Sequence, residues 1–332
     1  MSPRYSARYE SEQWVTKEYP IIPKPTNRQQ RSTGRIPLED LDVTSLKSLV
    51  QTRGLDETTQ VLYQSIRESA VHGPAIKAID RMCDPLDPID GNVKVIIVPG
   101  LLYREYPGSG ADGRMLIEAT RQLGWDYEVI STASTGRLVD NAEVLLRYLK
   151  NNSNRPLVLA SISKGGAEIA AAMQLDPLGQ QFASVVGWVD VCGMIHGSPV
   201  IDFISRQRLR MLGFRALFAL RRWTLASVLD LRYDGMLAAD FEAPDHIKIV
   251  HAVGFPSEED FTLEKLRRFH RQIGALGPND GVILLHDSLR APGIVYPVRG
   301  ADHYMRPRFQ VQPLCRGFLR YAAGHQPSEE QK

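Results

Sequence analysis

Ser163 lies in the stretch Leu157-Val-Leu-Ala-Ser-Ile-Ser163-Lys-Gly165-Gly166-Ala, where an apolar run meets an alanine-rich segment across small-x-Ser-x-Gly, with Ser161 in the first small position. Small residues on each side of a central serine let a strand, a tight turn and a helix pass close together. Such a turn lifts the serine oxygen to the carboxyl end of a sheet, beside a helix N-terminus. There the helix dipole and the backbone N–H of Lys164 face a developing negative charge. A serine so placed is a nucleophile only if a base takes its proton and an acid orients that base. The bland alternative is a plain strand-to-helix turn with Ser163 as a helix cap. The strand before and the helix after favour the reactive reading.

The base is expected at His303, in Val298-Arg-Gly-Ala-Asp-His303-Tyr-Met, a few residues beyond the last predicted strand. That position delivers an imidazole to the carboxyl edge of a sheet, and Ser, then Asp or Glu, then His is a known chain order for such sets. His270 falls on a basic helix, His325 in the tail, and His246 and His251 beside or within a strand. The acid is expected at Asp280, in the turn-forming Asn279-Asp280-Gly281-Val282-Ile283 between the last two strands. Asp-Gly favours turns in any case, and Asp287 and Asp190 remain rivals. Asp302 stands too close to His303 to serve.

These residues need a scaffold, and the chain supplies a regular one. Continuous apolar, β-branched runs predict strands at Val93–Val98, Tyr127–Ile130, Leu157–Ala160, Val185–Val191, Ile247–Val253 and Ile294–Val298. Between them, helical patterns occupy Gly113–Leu123, Asn141–Leu149 and Ala167–Met173. Alternation of this kind implies an α/β fold with a mostly parallel sheet covered on both faces. Ahead of it, 37–80 has helical spacing at Leu46, Leu49, Val61, Leu62, Ile66 and Ile76, ending at the Asp/Pro/Gly breaker cluster 84–91. The expected organisation is an extended or disordered arm over 1–36 and a helical extension over 37–90. A main domain over 91–322 follows, with an insertion at about 200–240, and then a tail over 323–332.

Two further stretches turn the pattern into a resemblance. Pro99-Gly100-Leu101-Leu102 follows the first strand, and Gly193-Met-Ile-His196-Gly197-Ser198-Pro199-Val-Ile-Asp202 follows the strand at 185–191. With Ser161–Gly165 and the Asp280-Gly281 turn, they resemble the α/β-hydrolase family over roughly 92–320: its nucleophile elbow, its oxyanion loop and a stretch of bacterial lipases. The sequence departs from that family in having Pro99 where histidine is common. The resemblance implies a lipase- or esterase-like serine hydrolase without metal or organic cofactor. It implies Ser163, Asp280 and His303 as the catalytic set, and N–H groups of Leu101 (or Leu102) and Lys164 as the oxyanion hole. The insertion falls where such folds carry a helical cap, so Leu102, Leu212, Phe218 and Trp223 are expected to touch substrate. A thioesterase or acyltransferase on carrier-bound acyl chains would use the same residues, and an inactive fold used for binding is the third reading.

Composition sets the outer limits. Of 332 residues, 43% are hydrophobic, enough for a sizeable core, and the net charge of +2 is too balanced for nucleic acid to be the main partner. Three scattered cysteines, Cys83, Cys192 and Cys315, suggest neither a disulfide framework nor a metal pair and fit a reducing compartment. No apolar run is long enough for a membrane span, and the polar N-terminus lacks a signal-peptide core, so a cytoplasmic location is expected. The expected partner is a small or lipid-like ester. Arginine-rich 201–233 leaves contact with a membrane surface open, and the N-terminal extension leaves contact with a carrier protein open.

Overall fold

The computed structural model describes residues 36–83, 92–233, 241–306 and 309–325. The arm apart from its last residue, Ile36, the breaker cluster at 84–91 and most of the tail expected from sequence lie outside them. Six strands form one all-parallel sheet: β1 (Lys94–Val98), β2 (Asp126–Val129), β3 (Leu157–Ile162), β4 (Val185–Val191), β5 (Lys248–Phe255) and β6 (Ile294–Arg299). Their spatial order is β2-β1-β3-β4-β5-β6. Each parallel pairing demands a crossover, and helices supply most of these. β1 and β3 are apolar and buried along nearly their whole length because helices cover both faces. β2, at the edge, is largely exposed.

The crossover helices are α4 (Arg114–Gln122), α5 (Leu138–Asn151), α6 (Lys164–Leu175) and α10 (Glu264–Ile273), and α11 (Gln312–Ala322) closes the described chain. Ahead of the sheet come α1 (Val43–Arg53), α2 (Leu55–Glu68) and α3 (Gly73–Arg81). Asp42 starts α1, its carboxylate accepting from Ser45 N–H at 2.7 Å. Leu62, Ile66 and Ile79 join the same apolar cluster as Val95, Val250 and Val295, so these helices complete one face of the sheet. Their buried side chains also carry polar ties to it: Val295 N–H donates to His72 Nδ1 at 3.3 Å.

Between β4 and β5 lie α7 (Pro199–Ser205), α8 (Arg208–Arg221) and the short α9 (Ala226–Leu229). Ser198 caps α7 and also donates to Val282 O at 2.6 Å, so the Gly193–Asp202 stretch anchors this excursion to the loop carrying Asp280. Arg137 and Asp230 bind at 3.1 Å on its other side.

The strand order fixes where a site belongs. The chain leaves β1 outward to β2 and then returns to the opposite neighbour, β3. Loops after β1 and β3 therefore diverge at the carboxyl edge and leave a crevice there. Pro99-Gly100-Leu101 follows β1, and Ser163 follows β3.

Candidate active site

Ser163 occupies the tight turn between β3 and α6 with φ 53° and ψ −114°, a left-handed-side conformation that costs a non-glycine residue about 1–3 kcal/mol. The turn is held from both sides. Ser163 N–H donates to Val191 O at 2.9 Å, and its carbonyl accepts from Gly166 N–H at 3.1 Å and Met194 N–H at 3.0 Å. The glycines that follow are required by space: a Cβ at Gly165 would lie 2.2 Å from Val98 O, and one at Gly166 2.3 Å from Asp190 Oδ1.

Ser163 Oγ lies 2.9 Å from His303 Nε2, and His303 Nδ1 lies 2.8 Å from Asp280 Oδ2. His303 comes from the loop after β6, and its backbone N–H donates to Asp280 O at 3.1 Å. The Asp-Gly turn explains why Asp280 is rigid: its Oδ1 accepts from Val282 N–H and Ile283 N–H, both at 2.8 Å. One carboxylate oxygen is thus fixed by backbone and the other is left for the imidazole. Asp280 is fully buried and His303 nearly so, while Ser163 is partly open to solvent. Neighbouring Asp302 accepts from Tyr304 N–H at 3.0 Å and Arg306 Nη2 at 3.1 Å, which orders the loop around His303.

The rival carboxylates are engaged elsewhere. Asp287 accepts from Tyr233 OH at 3.2 Å and lies 3.2 Å from His286 Nε2. Burial and this carboxylate push the Tyr233 phenol up to about 12. Asp190 takes the hydroxyl of Ser161 at 2.7 Å on Oδ1 and faces His251 Nδ1 at 2.9 Å on Oδ2. A cavity lined in part by Asp190, His196, His251 and Asp287 borders that second network, away from Ser163.

Two backbone N–H groups close to Ser163 in the chain or at the facing strand end make no backbone hydrogen bond among the described residues. Lys164 opens α6, so its N–H has no intrahelical acceptor. In the loop after β1, Gly100 N–H donates to Ala111 O at 2.8 Å and Leu102 N–H to Ser134 O at 3.2 Å. Leu101 N–H, between them, makes no backbone hydrogen bond among the described residues. Leu102, at φ 59°, is thereby committed to the loop's shape and not to anion binding through its own N–H.

Sequence reasoning missed what ties these donors together. The Lys164 ammonium is buried against Glu168 Oε1, one helical turn on. Glu168 also accepts from Asn141 Nδ2 on α5 at 2.6 Å, and Asn141 grips both backbone groups of Ala133 at 2.9 and 3.0 Å. The next residue, Ser134, is the one that holds Leu102. Burial pushes the Glu168 carboxyl up, against the pull of Lys164. The i, i+4 pair Lys164/Glu168 on an alanine-rich, otherwise uncharged helix was the available signal.

The insertion's side chains divide. Phe218 is buried on the inner face of α8, edge-on to Trp223 at 5.5 Å, and Trp223 meets Tyr106 of the loop after β1 at 6.3 Å. Leu212, expected beside them, instead stands exposed on the outer face. Six residues from Phe218, it lies about 120° round the helix. Cys192, Asp280 and His303 bring ligand atoms within 4.8 Å of one another. Burial pushes the Cys192 thiol well up, and Asp280 and His303 are bound to each other at 2.8 Å.

The molecule has the α/β-hydrolase fold. Among solved structures it is similar to lipase BlEst2 of Bacillus licheniformis in mature form. That likeness has 18% identity and a TM-score of 0.51 over 72% of this chain and 93% of that one. The propeptide form of the same lipase gives a TM-score of 0.54 at 18% identity, over 75% of this chain and 54% of that one. Lipase 1 of Pelosinus fermentans gives 0.50 at 13% identity over 70% and 97%. No protein-family model matches the sequence, and comparison with curated proteins gives no match.

Proposed function

We propose that this protein is a serine hydrolase of carboxylic esters working through an acyl-enzyme. The observation that carries the reading is the continuous chain Ser163 Oγ–His303 Nε2, His303 Nδ1–Asp280 Oδ2 on a strained turn beside two uncommitted N–H groups. The Ser163 hydroxyl gives its proton to His303 Nε2 as Oγ attacks the ester carbonyl carbon, and the carbonyl oxygen becomes an oxyanion held by Leu101 and Lys164 N–H. His303 then returns the proton to the departing alkoxide, leaving Ser163 acylated. Water, deprotonated by the same imidazole, releases the acid. Asp280 fixes the tautomer with the proton on Nδ1.

Leu102, Phe218 and Trp223 are read as borders of the acyl pocket, supported by the Phe218–Trp223–Tyr106 ring contacts that join α8 to the oxyanion loop. In this reading 91–322 is the hydrolase domain, 200–240 its cap and 37–90 an extension that supports the sheet. The lipases that share the fold favour ester or lipid substrates. The test is covalent labelling by a fluorophosphonate, followed by hydrolysis of p-nitrophenyl acyl esters of increasing length beside matched acyl thioesters. Labelling on Ser163 with faster ester turnover is expected. Absence of labelling in folded protein rejects the reading, and preference for thioesters moves it to the acyl-transfer class.

A further inference from the structure

α8 touches the rest of the fold with one stripe and leaves another bare. Met211, Phe214 and Phe218, spaced three and four apart, form the inner stripe, and Phe214 stacks on Phe218 at 5.9 Å. Leu209, Leu212, Ala216 and Leu220 have the same spacing on the outer side. There Leu209 is 86% exposed, Leu212 64% and Leu220 81%. Single exposed leucines need no explanation, whereas an aligned row of them on one helix does.

The arginines border that row. Arg208 and Arg215, seven residues apart, lie along one edge, Arg210 and Arg221 lie along the other, and Arg222 caps the helix end. The helix contains no Asp or Glu. Among the described residues no carboxylate lies within ion-pair distance of these five guanidinium groups, although Arg210 and Arg221 sit over the Phe203 and Trp223 rings.

We propose that the outer face of α8 docks on an anionic lipid bilayer. The leucine row would enter the headgroup–acyl boundary, and the arginine rows would reach lipid phosphates on both sides. Charge complementarity selects this occupant. A second copy of the chain would set one arginine row against another. The claim concerns binding and stands apart from the reactivity of Ser163.

The test is co-sedimentation of the full chain with phosphatidylcholine vesicles and with vesicles also containing phosphatidylglycerol, at low and high salt. The wild type is compared with Arg208→Gln/Arg215→Gln and Leu209→Ser/Leu220→Ser, each checked for folding by circular dichroism. Binding is expected only with the anionic vesicles. It should weaken with salt, fall roughly 25-fold in the arginine variant at about fivefold per side chain, and fall also in the leucine variant. Equal binding to both vesicle types overturns the proposal. So does full binding by both variants, which would point to the arginines of residues 1–35. Leucine-dependent self-association without lipid would assign the face to a second copy and overturn it as well.

Discussion

Two serine–aspartate–histidine sets start from serines two residues apart, Ser161 in β3 and Ser163 in the turn after it, and they are wired differently. In the first, His303 stands between Ser163 and Asp280. In the second, Asp190 stands between Ser161 and His251; Ser161 also accepts from Trp188 Nε1 at 2.8 Å, and the second nitrogen of His251 faces Pro292 O at 3.0 Å. His251 therefore has no nitrogen left for a serine, and Ser161 donates to a carboxylate already shared. Every member of that second set is buried, whereas Ser163 opens to solvent. In the proposed reading, the same three residue types give a reactive arrangement or a structural strut according to which one is central, and whether the serine reaches the surface.

The largest expected effect divides the serines. Ser163→Ala should abolish fluorophosphonate labelling and lower ester turnover by several orders of magnitude, whereas Ser161→Ala should keep both and lose thermal stability. Labelling that followed Ser161 would erase the distinction. The acids should separate next. Asp280→Asn should lower kcat by about 10⁴-fold, because the amide favours the wrong imidazole tautomer. Asp190→Asn should act mainly on unfolding, costing about 1–3 kcal/mol in denaturant titration for a buried donor left without its acceptor. A kcat loss in Asp190→Asn matching that of Asp280→Asn would mean the two networks work as one.

Between these extremes lies Glu168→Gln. It weakens the link from Lys164 through Asn141 to the loop holding Leu101, so kcat should fall with KM little changed. The loss should stay below the ~10²–10³-fold that removal of a whole oxyanion donor produces. The smallest effect is a pH dependence near the structural set. Burial first, and then the nearby His251, lower the His72 value from its ordinary 6.5. A lowered histidine value favours the neutral folded form, so that stability is present above about 6.5 and is lost as pH falls through the lower folded value. His72→Gln should flatten the midpoint-versus-pH curve on that acid side, and an unchanged slope would assign the loss to other groups.

Much of this arrangement was legible because its parts are local. Strands buried on both faces are continuous apolar runs in sequence, and the serine turn, the Asp-Gly turn and the histidine after β6 each follow a strand end. β2 begins and ends one residue before the expected stretch because its edge position removes the burial that marks the others. The tie from Lys164 to Ala133 was not legible, since it depends on how α5 approaches α6. The two stripes of α8 were visible only as a mixture of leucine, phenylalanine and arginine. At 3.6 residues per turn they separate, and Leu212 falls on the exposed side of the helix, away from Phe218.

α11 ends the described chain, yet it packs between the first helices and α4. Arg316 and Arg320 donate to the carbonyls of Cys83 and Met82 at 3.1 Å each, and a Cβ at Gly317 would collide with Ile79 O. The surface that receives α11 is therefore made early in synthesis and covered only when α11 has emerged. During translation α3 carries an apolar flank with no partner, which is a period of aggregation risk for a parallel-sheet protein whose contacts span most of its length. A ribosome-bound chain stalled before Gln312 should be sensitive to protease across 36–83, and protection should arise abruptly once 312–322 clears the exit tunnel.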